Sequence, residues 1–156
     1  MKMGLFSILN VSASGLAAQR IRVQVLAQNI ANSETTRTPD GGPYRRRRVV
    51  FESERQPTAP FGVVLAELVS PVSDPFQAET QGVRVADVSV DNAPPERRYA
   101  PHHPDADPAG YVDFPPFNPV EDMVDLTAAV RSYQANLAVI ASVKEMLNRT
   151  IEIGRG

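Results

Sequence analysis

Cysteine is absent from the 156-residue chain. That excludes disulfides, thiolate metal sites and cysteine nucleophiles, although it does not fix the redox compartment. Proline is missing from both ends. All fourteen prolines lie between Pro39 and Pro119, leaving 38 residues before them and 37 after with none. Because proline breaks helix interiors and sheet ladders, those two ends are where long uninterrupted helices can form. Long apolar runs are lacking as well. The N-terminal Met1-Lys2-Met3-Gly4-Leu5-Phe6-Ser7-Ile8-Leu9 has one basic residue and an interrupted apolar stretch. It falls short of the continuous apolar core of a secretory signal, and no segment approaches the ~20 apolar residues of a membrane span. Any export is therefore expected to proceed without a cleaved signal. Serines are present, but no G-x-S-x-G, P-loop or dinucleotide glycine motif accompanies them, so enzymatic function has no positive support.

Hydrophobic residues make up 42% of the chain and charged residues 22%, a globular composition. The net charge of −2 argues against a general nucleic-acid binder and hides an asymmetry. Residues 1–55 carry nine Lys and Arg against four Asp and Glu, while residues 56–156 carry seven against fourteen. Halves of opposite sign attract within a molecule or between stacked molecules, although scattered surface charge explains the same counts about as well.

The C-terminal end carries the clearest pattern. Met123, Leu126, Val130, Tyr133, Leu137, Ile140, Lys144, Leu147 and Ile151 recur at alternating spacings of three and four, and eight of the nine are apolar. That is a heptad seam. Asn118 is placed to cap the helix, Pro119 suits its first position, and Glu121 completes a capping-box arrangement. Glu121, Asp122 and Asp125 favour the positive end of the helix dipole, Lys144 and Arg149 the negative end, and Gly154 suits the stop. A helix over Pro119–Ile153 is 35 residues, about 52 Å long at 1.5 Å per residue. A compact globule of this size is only about 39 Å across. Such a helix protrudes, and it needs a partner along its length to repay the entropy of ordering it.

The natural partner is the other end. Leu9, Leu16, Val23 and Ile30 recur every seven residues, with Ser12, Gln19 and Leu26 between them. Arg20-Ile21-Arg22-Val23-Gln24-Val25 also alternates like a strand, but Asn10 to Asn32 lacks proline and has only Gly15 as a breaker, which favours helix. Ala13, Ala17, Ala18, Ala27 and Ala31 keep one flank small. The polar run Asn29 to Thr36 ends the pattern.

Between the arms, Pro39-Asp40-Gly41-Gly42-Pro43 signals a turn, followed by β-rich runs at Tyr44–Phe51, Val63–Val69, Gly82–Val90 and Gly110–Phe114. Pro71 to Gln81 reads as a surface insertion. The expected architecture is α+β: residues 1–38 and 119–156 form helical arms, paired as an antiparallel coiled-coil-like unit, and residues 39–118 form a small proline-rich β module. Arg45-Arg46-Arg47-Arg48 suggests phosphate or nucleic-acid binding, yet alternate strand residues point to opposite faces and no aromatic residues interleave for base stacking. An interface or solvated-edge role fits this run better. His102-His103-Pro104-Asp105-Ala106-Asp107 has metal-ligand chemistry. Adjacent histidines beside a proline converge poorly on one ion, and a proline-shaped loop fits better.

Motifs at both ends resemble those of the bacterial flagellar basal-body rod proteins. They run from Ser14-Gly15-Leu16 through Ala18-Gln19, Arg22 and Asn29-Ile30-Ala31-Asn32 to Gly41-Gly42-Pro43-Tyr44-Arg45-Arg46 and Val49-Val50-Phe51. They resume at His103-Pro104-Asp105-Ala106-Asp107, Gly110-Tyr111-Val112, Val120-Glu121-Asp122-Met123-Val124-Asp125, Arg131-Ser132-Tyr133-Gln134-Ala135-Asn136 and Ile153-Gly154-Arg155. The Gly-Gly-Pro-Tyr-Arg-Arg and His-Pro-Asp-Ala-Asp segments are similar to the proximal-rod branch. Two departures stand out: Pro115-Pro116-Phe117 replaces the usual Pro-Asn-Val ahead of the long helix, and residues 56–81 match no family motif. The resemblance implies a structural subunit with no cofactor, nucleic acid or small-molecule substrate. Its partners would be copies of itself, other rod and basal-body proteins, and the flagellar type III export apparatus, which it would cross largely unfolded. Its place would be the rod that spans the periplasm. The implied assembly interface comprises Leu9, Leu16, Val23, Leu26, Asn29, Ile30 and Asn32 on the first arm. On the second it comprises Met123, Leu126, Val130, Tyr133, Leu137, Ile140, Leu147 and Ile151. Arg45, Arg46, Arg47 and Arg48 become candidates for charge contacts between subunits. The alternative from a different class is a ligand- or carbohydrate-binding β module on a coiled-coil stalk; a hydrolase using His102 or His103 is a third.

Overall fold

The computed structural model describes residues 5–54 and 82–154. The β run expected at Val63–Val69 and the insertion at Pro71–Gln81 lie outside them. The described residues form an α+β chain: helix α1 (Leu5–Ala31), strands β1 (Arg47–Ser53), β2 (Val83–Val90), β3 (Glu96–Tyr99) and β4 (Tyr111–Phe114), and helix α2 (Pro119–Ile153). Both proline-free arms are helical, and the second runs over the 35 residues that its pattern predicts. The strand-like alternation at Arg20–Val25 yields to the helix around it. Among the described helices, none is long and apolar enough to cross a membrane.

Helix α2 starts as its sequence dictates. The Asn118 side-chain oxygen accepts the Val120 N–H at 3.0 Å, satisfying one of the first-turn donors that a helix leaves unpaired. Glu121 departs from the capping-box expectation. Its carboxylate turns to Arg46, 3.5 Å away, because a full cationic charge attracts it more strongly than a neutral N–H.

The strands form two two-stranded ribbons, β1 with β2 and β3 with β4. Bonds from Glu54 N–H to the Gly82 carbonyl and from Asp91 N–H to the Arg46 carbonyl flank the first ribbon, as an antiparallel ladder requires. In the second, Tyr99 faces Tyr111 and Arg97 faces Asp113 across an antiparallel register. Strand β3 has no counterpart in the sequence reading, because Glu-Arg-Arg-Tyr carries no apolar alternation and all four residues are exposed. Aromatic contacts hold it instead. Tyr99 and Tyr111 meet edge to face at 5.4 Å, and Arg97 and Arg98 lie over the rings of Tyr111 and Phe114. Gly110, at φ +82°, sits under the Tyr99 ring where a Cβ would come within 2.8 Å of it, so the turn needs glycine twice over.

By their contacts the residues fall into two compact units, and each helix contributes a stretch to both. Among the described residues, the first holds 5–18, 51–54, 82–84 and 133–154; the second holds 19–50 and 85–132.

Candidate assembly interface

In the second unit, the start of β1 is tied to both helices. Asn29, near the end of α1, is fully buried. Its amide donates to the Arg47 carbonyl at 2.9 Å, and its oxygen accepts the Arg47 N–H at 3.0 Å and the Tyr44 hydroxyl at 2.9 Å. A helix side chain thus stands in for a neighbouring strand and satisfies a backbone donor and acceptor that would otherwise be orphaned. Burial raises the Tyr44 pKa; the Arg47 charge opposes that shift and the Asp122 charge adds to it.

One residue earlier, the largely buried Arg46 guanidinium pairs with Asp122 in the first turns of α2 and reaches Glu121. It also lies 5.8 Å above the Phe117 ring, whose edge meets Tyr44 at 6.5 Å. The departure Pro115-Pro116-Phe117 therefore forms a packed lead-in to α2, with Pro115 fully buried. Asp122 is completely buried, and its Oδ2 has no hydrogen-bond partner among the described residues. A carboxylate so placed depends on its single cationic partner. Further along the same helices, Arg22 pairs with Asp125 at 3.5 Å.

In the first unit the helices contribute a different kind of contact. Ser14 Oγ accepts the Val83 N–H at 3.1 Å and donates to the Val11 carbonyl at 2.8 Å. Gly15 lies so near Asn136 that an added Cβ would sit 3.1 Å from its amide nitrogen.

These contacts divide the seam of α2. Leu126, Tyr133, Ile140 and Leu147 are half-buried, as seam positions should be. Met123, Val130, Leu137 and Ile151 are not: they are 50%, 39%, 44% and 56% exposed, and Lys144 is exposed with them. The residues one step earlier are covered instead as far as position 143, while Thr150 is exposed like Ile151. Asp122 and Ala129 are buried, Asn136 is half-buried and Val143 is buried. Hydrophobic burial alone favours the opposite choice by several kcal/mol, at roughly 1.5–3 kcal/mol per large apolar side chain. The buried positions at this flank include the polar Asp122, whose partner Arg46 is distant in sequence and so invisible to the apolar period.

Helix α1 behaves similarly. Ser12, Gly15, Ala18, Val25, Leu26 and Asn29 are its buried residues, while Leu9, Leu16, Val23, Ile30 and the following Asn32 are half-buried. Of the small flank, only Ala18 is buried; Ala13, Ala17, Ala27 and Ala31 face outward. The structure thus brings Asn29 into the junction. Asp122, Asn136 and Gly15 belong to the inner contacts although sequence reasoning did not single them out for the interface. The small residue at Gly15 was the available hint of close approach.

The arginine run is shared out. Arg46 serves Asp122, and Arg48 reaches Asp91 at 3.2 Å. Arg45 donates to Asn92 while remaining exposed, and Arg47 has an exposed side chain with no acidic partner among the described residues. Both line an open cleft of about 560 Å³ with Tyr44, Asp40 and Val90. In the histidine loop, His103 Nδ1 accepts the Asp105 N–H at 3.1 Å and its ring meets Phe114 edge-on at 5.9 Å. The Asp105 carboxylate takes the Thr36 hydroxyl at 2.7 Å. The first bond shapes the loop and the second ties it to the segment after α1; Asp107 shapes the loop further, since N–H groups of Tyr111 and Ala109, with Arg97 nearby, hold its carboxyl below the usual range.

The described residues thus combine two long helices, a buried polar junction and large apolar side chains left exposed on α2. Comparison with known proteins supplies the family. Residues 9–37 match the family model described as flagella basal body rod protein, and residues 109–153 match the C-terminal model of the flagellar basal body rod FlgEFG proteins. The flagellar basal-body rod protein FlgC of Borreliella burgdorferi is 43% identical over 99% of this chain and 100% of its own length. FlgC of Escherichia coli O6:H1 is 38% identical over 98% and 100%, and FlgC of Bacillus subtilis 37% over 96% and 98%. The chain belongs to the FlgC family of flagellar basal-body rod proteins. It is a structural subunit of the rod, not an enzyme, and the ligand-binding stalk has no support.

Proposed function

We propose that this subunit self-assembles helically, with other rod proteins, into the proximal part of the flagellar drive shaft. Residues 1–38 and 119–156 act as the assembly arms, paired as an antiparallel coiled coil and continued into the rod's inner helical layer. The chain reaches its site through the type III export apparatus, without signal cleavage, and works within the periplasm-spanning rod. The observation that carries this reading is the exposed heptad row Met123, Val130, Leu137 and Ile151 in a chain of the rod family. Side chains of that size on a long helix are stabilised when neighbouring copies or other rod subunits cover them. Arg45 and Arg47, without acidic partners among the described residues, are the charge contacts to acidic neighbours; Arg46 and Arg48 serve internal pairs.

Deleting the gene tests the reading directly. Motility should be lost, and basal bodies should stop growing before the hook; normal filaments on the deletion strain would overturn it. Reversing Arg45 and Arg47 to Glu should reduce rod assembly without unfolding the chain, and full assembly would remove them from the interface.

A further inference from the structure

Helix α2 carries two heptad rows one residue apart, which is about 100° around the helix. Both rows share Leu126, Tyr133, Ile140 and Leu147 as their second line. The outward row supplies Met123, Val130, Leu137, Lys144 and Ile151; the inward row supplies Asp122, Ala129, Asn136 and Val143, so the outward row is the more apolar everywhere except at Lys144. Apolar burial by itself would turn the first row inward, yet the chain buries the second. Something in the sequence must oppose that turn, and the junction at the start of β1 has the required properties.

We propose that Asp122 and Asn29, acting through the adjacent residues Arg46 and Arg47, set the rotation of α2 and thereby keep its more apolar row outward. The inference rests on the assembly reading above and assigns the junction a part in it. Asp122 is fully buried, with Oδ2 unbonded among the described residues, so its charge is compensated only while it faces Arg46. Arg46 cannot follow a rotating helix. Its neighbour Arg47 is held by backbone N–H and carbonyl to the Asn29 amide of α1. Turning α2 by about 50°, which keeps the shared line buried while exchanging its flanks, would carry Asp122 away from that cation and bring Met123 toward it. In the other unit, the close approach of Gly15 to Asn136 acts in the same sense, since Leu137 would have to replace the amide there. Buried polar groups here select one packing among two, a use for which a single polar residue suffices in coiled coils.

The cysteine-free chain makes the test clean. The soluble full-length chain is given one thiol, by Ala129→Cys or by Val130→Cys, with trimethylamine oxide added to favour the compact state, and maleimide labelling rates are measured. In the parent background the thiol at position 130 should react about tenfold or more faster than the thiol at position 129. With Arg46→Met and Asp122→Leu together, helical circular dichroism should persist while that ratio falls to about twofold or less. An unchanged ratio, or equal rates in the parent, would overturn the proposal. Loss of helical signal in the double variant would also overturn it, because the pair would then hold the fold together rather than choose between packings. The deletion phenotype decides the rod reading separately, so failure of the labelling test removes only the rotation device.

Discussion

Neighbouring residues along α2 meet opposite environments. Asp122, Ala129 and Val143 are buried, whereas Met123 and Val130, beside the first two, are 50% and 39% exposed. The inner row is the poorer in apolar surface. A helix arranged only for its own chain's stability would bury the richer one. On the proposed reading, polar geometry specifies the inner contacts and leaves the larger apolar side chains for other molecules. That reading predicts a lone subunit of marginal stability, since association would cover the outer row.

The largest effect should come from breaking the inner side at its charge. Arg46→Met strands the Asp122 carboxylate in a buried site, and urea unfolding of the full-length chain should show a loss of about 3–5 kcal/mol. Replacing both partners with apolar residues should cost far less. Asn29→Ala comes next. It leaves the Arg47 N–H and carbonyl unpaired, and about 2–3 kcal/mol should be lost in the same assay. On the outer row the order of effects reverses. Leu137→Asp should change the stability of the chain by within ~0.5 kcal/mol yet abolish swimming in soft agar. The smallest effect lies away from both rows. The Asp107 carboxyl titrates below its unfolded value near 3.8. Its contribution is therefore present above that pH and is lost as pH falls through the lowered folded value. Asp107→Asn should flatten the acid limb of a thermal-stability profile there and leave the neutral range almost unchanged.

Much of the fold was legible because it is written locally. Pro119 and Ile153 bound a periodic stretch with a cap that the structure reproduces, and β1, β2 and β4 fall within or across the expected β-rich runs. Strand β3 was illegible because Arg97, Arg98 and Tyr99 are held by aromatic partners across the ribbon, a feature with no signature in their own order. Heptad spacing picks out the line Leu126, Tyr133, Ile140 and Leu147, which is half-buried. It cannot find which flank turns inward, because Asp122 is satisfied by Arg46, 76 positions away in the chain. The arginine run illustrates the same limit: four like residues in a row take different partners, and only the fold assigns them.

The central claim is that the outer row faces neighbouring subunits while the inner row stays within the chain. Photo-cross-linking from single cysteines in isolated basal bodies tests it most directly, with a thiol-attached cross-linker at position 130 or 137 compared with position 129 or 143. The account predicts adducts to other rod subunits from 130 and 137, and at most products confined to one chain from 129 and 143. Adducts between subunits arising equally from both rows, or only from 129 and 143, would contradict it.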